Sequence, residues 1–395
     1  MLQANIAAAK RFNIDTELIE RRTDTQKNVR ILGDDLTFIH IREYERTKHV
    51  HRLHPYLGKF IPQLVEVFLK KFFKKGDTIL DPFSGSGTAL IEANVLGINS
   101  IGVELSPFNV LIQKVKTQKY NIPLMEREVK DALFRLKAFS SERTRRFEIN
   151  SEYLKNWFSD RALQEILFYR SIIKEYKNQA LLKIILSRAT RSARLTPHYD
   201  LARPKNPVRK TYWCIKHKRY CTPVDEALKF INCYSWNTIT KIKQFDKIRT
   251  DAFIKIYQGD ARTIKLPDNL RIDGIFTSPP YVGVIDYHEQ HRYAYELFGF
   301  PRQDELEIGP AKKGQNEYAK EEYQQGITDV FKNISGYLIN EAKIFIVAND
   351  KFKLYSKIGE ASGFKLIDVF NRPVLMRTER DSNKYFESIF YFQKR

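Results

Sequence analysis

Thr78-Ile79-Leu80-Asp81-Pro82-Phe83-Ser84-Gly85-Ser86-Gly87-Thr88 decides the fold. Gly76-Asp77 makes a turn, Thr78–Leu80 reads as a short buried strand, and Asp81 ends it. The Ser-Gly-Ser-Gly run makes a tight loop, and a helix from Thr88 to Leu96 starts there and stops at Gly97. Gly85 and Gly87 permit positive φ and let a ligand approach the backbone closely. A second strand, Ser100–Val103, follows with Glu104 at its tip. An acid after the second strand of such a βαβ start is placed to accept two ribose hydroxyls. The loop lacks the third glycine of a dinucleotide fingerprint, and no phosphate-binding lysine directly follows it, which argues against pyrophosphate ligands.

A second stretch ends another strand. Ile272–Phe276 is a mostly apolar run, and Thr277-Ser278-Pro279-Pro280-Tyr281 follows it. Two prolines stop a strand because neither donates to a ladder and each fixes its own φ. Ser278 and the Pro279 carbonyl therefore lie at a strand's carboxyl tip, where open α/β sheets bind ligands. A hydroxyl, a free carbonyl and the flat Tyr281 ring suit a planar base carrying an exocyclic amine.

Asp81–Thr88 followed by Thr277–Tyr281 resembles the S-adenosylmethionine (SAM)-dependent amino-methyltransferases of DNA. TSPPY is similar to the catalytic motif of the cytosine-N4 branch; the adenine-N6 branch more often has Asp or Asn before Pro-Pro. The resemblance covers roughly residues 50–115 and 250–395. It implies an α/β fold: a doubly wound, seven-stranded Rossmann-like methyltransferase sheet, mostly parallel, with a terminal antiparallel pair. It implies SAM as cofactor, held by Asp81 and the loop Pro82, Phe83, Gly85, Gly87 and Thr88 around the methionine part. Glu104 would hold the ribose and Asp260, after Gly259, the adenine amine, with Phe60 and Thr277 beside them. Ser278, Pro279, Pro280 and Tyr281 would be catalytic, acting on a cytosine flipped out of duplex DNA, because its amine is unreachable in the stack. The partner so implied is double-stranded DNA, and the role is that of the modification enzyme of a restriction-modification system with a cognate endonuclease. Adenine N6 in DNA and guanine N2 in tRNA remain the alternatives. The tRNA enzymes usually carry Asp-Pro-Pro-Tyr and an N-terminal RNA-binding domain, for which residues 1–50 look too short. A non-catalytic protein keeping SAM as a structural ligand is disfavoured by the intact Ser278–Tyr281. With no Pro-Cys dipeptide, 5-methylcytosine chemistry through a cysteine nucleophile is disfavoured too. Two features depart from the family: cytosine-N4 enzymes often carry PPY before the SAM loop, and a large insert here precedes Gly259-Asp260.

The charge agrees with a polyanion partner. Lys and Arg number 67 against 47 acids, a formal charge of +20 in 395 residues. There is no run of 18 apolar residues, so no membrane span is expected. Three cysteines point to a reducing, cytoplasmic setting, and the N-terminus lacks a signal-peptide core.

The rest of the chain divides into residues 1–50 as a helical or loop extension with a strand-like run at Leu36–Ile41, a catalytic domain at 51–120 and 246–395, and an inserted target-recognition region at 121–245. Apolar positions 61, 64, 65, 68, 69 and 72 have helical spacing. Helices are expected over Leu133–Phe147, Tyr153–Tyr176, Leu181–Leu186 and Asp286–Leu297, and a charged loop over 301–325. Further strands are expected at Phe253–Tyr257, Ala342–Ala348, Gly363–Phe370 and Ser388–Gln393. Between Lys183 and Arg219 many basic residues face one acid, Asp200, with Tyr199, Tyr212, Trp213 and Tyr220 interleaved. Arg191, Arg194, Arg203, Lys205, Arg209 and Lys210 are the candidate DNA contacts. No metal is expected for the chemistry, although Cys214-x2-His217-x3-Cys221-x11-Cys233 leaves a structural zinc alternative. His288 and His291 read as packing and DNA contact rather than metal ligands.

Overall fold

The computed structural model describes residues 36–58, 60–142, 145–201, 204–374 and 385–395. Among the described residues nine strands form two sheets: β1 (Thr78–Asp81), β2 (Asn99–Glu104), β3 (Tyr212–Cys214), β4 (Arg219–Cys221), β5 (Ile254–Gln258), β6 (Ile272–Thr277), β7 (Leu338–Ala348), β8 (Phe364–Val374) and β9 (Tyr385–Lys394). The seven-stranded sheet has the order β5-β2-β1-β6-β7-β9-β8, and β3-β4 form a separate pair. β5, β2, β1, β6 and β7 are mutually parallel; β9 runs antiparallel between β7 and β8. The doubly wound α/β expectation holds. β1 is buried along its whole length, as a strand covered on both faces must be.

One face of the sheet carries the helices Pro62–Phe72 and Thr88–Val95. There Phe68 is fully buried against Phe276, Phe345 and Phe370, with ring centroids at 5.9, 5.3 and 5.4 Å. The other face is covered by the helix Glu317–Ser335, whose Ile327, Val330, Phe331 and Ile334 pack on Ile275, Ile344 and Phe392. Residues 121–245 are mostly helical, as expected, but they have no separate core. Their helices Ile122–Glu142, Asp160–Ile172, Gln179–Ala193 and Leu228–Asp246 share one apolar cluster with Val50, Phe108, Ile112, Tyr293 and Leu297.

Several expected elements shift for local reasons. Leu36–Ile41 forms turns, not a strand, because Arg46 gathers the Phe38 and Ile41 carbonyls at 2.8 and 3.2 Å. The expected loop 301–325 ends at Asn316, which caps the helix Glu317–Ser335 by accepting from the Ala319 amide at 2.8 Å. The helix placed at Leu133–Phe147 starts earlier, where Asn121 accepts from the Leu124 amide, and stops at Glu142. Ser151 and Ser159 each cap a helix and split Tyr153–Tyr176 into Glu152–Trp157 and Asp160–Ile172. Asp286–Leu297 breaks at His291 into Tyr287–Gln290 and Arg292–Phe298. Among the described residues no helix is long and apolar enough to cross a membrane.

Candidate active site

β1 sits between β2 and β6, so the chain leaves it in opposite directions and a crevice opens above its carboxyl end. Asp81 closes β1 and is buried. Its Oδ1 accepts from the Phe83 amide at 3.1 Å and from Thr277 Oγ1 at 2.6 Å, which ties the β1 tip to the β6 tip. Burial pushes its carboxyl up to about 7, against the pull of those two bonds. Glu104 closes β2 in the same way. It accepts from the amides of Gly85 and Ser106, each at 2.8 Å, and from Asn109 Nδ2 at 3.2 Å. Burial raises it, too, to about 7.

The loop between them is held from below. Gln113 Nε2 donates to the Gly85 carbonyl at 2.9 Å, and Lys116 Nζ donates to the Ser86 carbonyl at 2.8 Å. Both side chains hang from the helix Pro107–Thr117, which Ser106 caps. Gly85 has φ +48°, and a Cβ there would lie 3.0 Å from Tyr56 Oη. Any other residue would both strain the backbone and push Tyr56 away.

These tips line a single cleft open to solvent. Phe60, Asp81, Pro82, Phe83, Gly85, Thr88, Glu104, Asp260, Ser278 and Pro280 all line it, so most of the residues singled out in sequence come together. Gly87, Thr277, Pro279 and Tyr281 do not line it: Gly87, at φ +79°, starts the helix Thr88–Val95, Thr277 is buried on Asp81, and Pro279 and Tyr281 flank the lining Pro280. Asp260 follows β5, beside Glu104, and Arg262 grips both of its carboxylate oxygens, at 3.0 and 2.6 Å. Ser278 Oγ has no hydrogen-bond partner among the described residues. Pro279 is buried, and the Pro280 carbonyl accepts from Tyr323 Oη at 2.8 Å. Tyr281 donates from its hydroxyl to Glu387 at 3.0 Å, and Glu387 pairs at 2.6 Å with the buried Arg372. The terminal β8-β9 hairpin thus props the β6 tip.

Sequence reasoning missed part of the lining: Tyr56, Tyr287, His288, Glu307 and Ile308. Glu307 accepts from the amides of Tyr287 and His288 at 3.2 and 2.8 Å and bonds the His288 ring. No local pattern announces these residues; only the return of 287–308 over the strand tips makes them neighbours.

The basic candidates do not form one surface. Arg194 is only 4% exposed; it donates to the Arg191 and Leu201 carbonyls and lies over the Trp157 and Tyr293 rings. It is a packing residue in this structure, not an exposed phosphate contact. Arg191 is half-buried, and burial lowers its guanidinium from the usual range. Lys205, Arg209 and Lys210 are exposed, and Arg209 also donates to the Asn156 carbonyl at 2.9 Å. Arg203 lies outside the described residues.

A DNA methylase family, the N6/N4 methyltransferases, matches residues 6–114, which include the glycine loop and Glu104. A type II methyltransferase of Methanocaldococcus jannaschii, M.MjaII, is 43% identical over 94% of this chain and 85% of its own length. M.BsoBI of Geobacillus stearothermophilus is 27% identical over 71% of this chain and 58% of that protein. M.MvaI of Kocuria varians is 23% identical over 68% and 59%. The chain belongs to the SAM-dependent amino-methyltransferases of DNA, in the type II methyltransferase family.

Proposed function

We propose that this enzyme methylates the N4 amine of cytosine in duplex DNA, as the modification partner of a restriction endonuclease, in the cytoplasm where that DNA lies. The observation that carries the reading is the Ser278 hydroxyl, which lines the cleft without a partner among the described residues where an adenine enzyme more often has an acid or amide. The two acids and the glycine loop fit SAM. Carboxylates that desolvation raises to about 7 are short of countercharge, and a cationic ligand rich in hydroxyls supplies it. Asp81 and the loop Pro82–Thr88 would hold the methionine part, Glu104 the ribose, and Asp260 with Phe60 the adenine. SAM brings a methyl group on a sulfonium, an excellent leaving group, so the protein's task is orientation and electrostatics.

At the β6 tip, Ser278 Oγ and the Pro279 carbonyl accept hydrogen bonds from the cytosine amine. That draws its nitrogen out of conjugation and aims its lone pair at the methyl carbon. The nitrogen forms its new bond as carbon–sulfur breaks, and the amine proton leaves to water. Tyr281, anchored through Glu387 and Arg372, supplies a plate for the flipped base. Residues 121–245, with exposed Lys205, Arg209 and Lys210, serve as the DNA-reading region.

Label transfer from SAM to mixed-sequence duplex DNA, followed by nucleoside mass spectrometry, tests this. N4-methylcytosine is expected. N6-methyladenine would reject Ser278 as the determinant of the base, and label entering only tRNA would reject the DNA reading of the insert.

A further inference from the structure

A small cluster far along the chain from the cleft residues has no part in methyl transfer. β3 and β4 pair antiparallel, Tyr212 with Cys221 and Cys214 with Arg219, so Cys214 and Cys221 share one face. Both are buried, whereas residues 215–220 of the connecting turn and strand are all exposed. His217 lies in that turn and reaches back, with Nδ1 at 3.4 Å from Cys221 Sγ. His198 comes from the loop after the helix Gln179–Ala193, with Nδ1 at 3.8 Å from Cys214 Sγ. Its amide donates to Tyr212 Oη at 3.0 Å, which ties that loop to β3. The four donor atoms all lie within 4.8 Å of one another.

We propose that His198, Cys214, His217 and Cys221 form a structural Zn2+ site. With bonds of about 2.3 Å to sulfur and about 2.0 Å to nitrogen, a tetrahedral ion needs sulfur–nitrogen edges of about 3.5 Å. The observed 3.4 and 3.8 Å bracket that edge, and the remaining donor pairs lie within 4.8 Å, close enough to draw in around an ion. Two thiolates and two neutral imidazoles give a neutral complex that a half-buried site tolerates, and an S2N2 tetrahedron selects zinc. The hairpin also needs a staple. Its strands are three residues each, and two-stranded pairs of that size are marginal in water. Cys233 is not in the set; it is exposed on the helix Leu228–Asp246, and His198 takes the fourth position that sequence spacing assigned to it. The other cluster of metal-binding types, His49, His51 and Glu92, differs: Lys48 Nζ already answers Glu92 at 2.8 Å.

The site stands apart from the reading of the insert as a DNA surface, and its test needs no DNA. Full-length protein, purified under reducing conditions and dialysed against buffer containing Zn2+ and then metal-free buffer, should retain about one zinc per chain by mass spectrometry. Cys221→Ser and His198→Ala should each retain less than a tenth, while Cys233→Ser keeps the full equivalent. Cobalt loading of the unmutated protein should give thiolate charge-transfer bands and the intense visible bands of a tetrahedral S2N2 ion. Under a tenth of an equivalent in the unmutated protein overturns the proposal even if the variants misfold. Loss of zinc in Cys233→Ser with retention in His198→Ala overturns the ligand set.

Discussion

On the β1–β2 wall of the cleft the functional oxygens are already occupied by the protein itself: Asp81 Oδ1 by Phe83 and Thr277, and both Glu104 oxygens by Gly85, Ser106 and Asn109. At the β6 tip the Ser278 hydroxyl has no such partner among the described residues, although the backbone around it is pinned by Tyr323 and through Tyr281. On the proposed reading the first wall presents a fixed shape to SAM, and the second presents a hydroxyl that the target base would engage. That division would separate binding from chemistry, and each side would fail differently when altered.

Gly85→Val should do the most damage. It places a branched side chain at φ +48° and against Tyr56, and overpacking of about 3 kcal/mol would weaken SAM binding by roughly 100-fold. Calorimetry with SAM reads this directly; an affinity within roughly threefold of the parent would show that the loop does not cradle the ligand. Ser278→Ala should then reverse the pattern, lowering kcat by about 100-fold with SAM affinity nearly unchanged. Equal losses in binding and turnover would erase the distinction between the walls.

Protonation sharpens the comparison further, because only the first wall carries the raised acids. Their folded pKa values, about 7, lie above those of the unfolded chain. Their contribution to stability is therefore full under acidic conditions and is lost as pH rises through about 7. A ligand that needs them ionised follows the opposite course. SAM affinity should fall by up to about tenfold per unit for each such acid as pH drops below 7, and Asp81→Asn should flatten that profile. A pH-independent affinity between pH 5.5 and pH 8 would remove both carboxylates from the binding site.

The basic residues give the smallest effects and the cleanest contrast. Replacing Lys205, Arg209 and Lys210 together by Gln should reduce the salt slope of DNA binding by roughly 2–3 with little change in melting temperature. Arg194→Ala should leave that slope intact and cost about 2 kcal/mol of stability, since it removes buried hydrogen bonds and ring contacts. If Arg194→Ala flattened the slope instead, the buried guanidinium would be reaching DNA after a rearrangement.

The glycine loop, the acids at two strand tips and the Pro-Pro stop were legible because each is a local event. A positive φ, a strand end or a cap needs particular residues at fixed offsets, whatever surrounds it. The helix Glu317–Ser335 was illegible for the converse reason: Glu317, Glu321 and Glu322 are on its solvent face, and its apolar face shows only once the sheet lies beneath. The same holds for the basic tract. Composition marked Arg194 and Lys210 alike as cationic, and packing buried one and left the other in water.

By itself, then, the sequence determined the chain order of the seven main-sheet strands, the two strand tips that meet at the cleft and the family they define, because those depend on neighbours in the chain. The tertiary structure alone decided which distant residues complete each site. Glu307 and Tyr56 join the cleft, Arg372 and Glu387 support Tyr281, and His198 rather than Cys233 faces the hairpin cysteines. Such partners meet through the packing of whole elements, and no spacing in the chain encodes a distance that only the closed core creates.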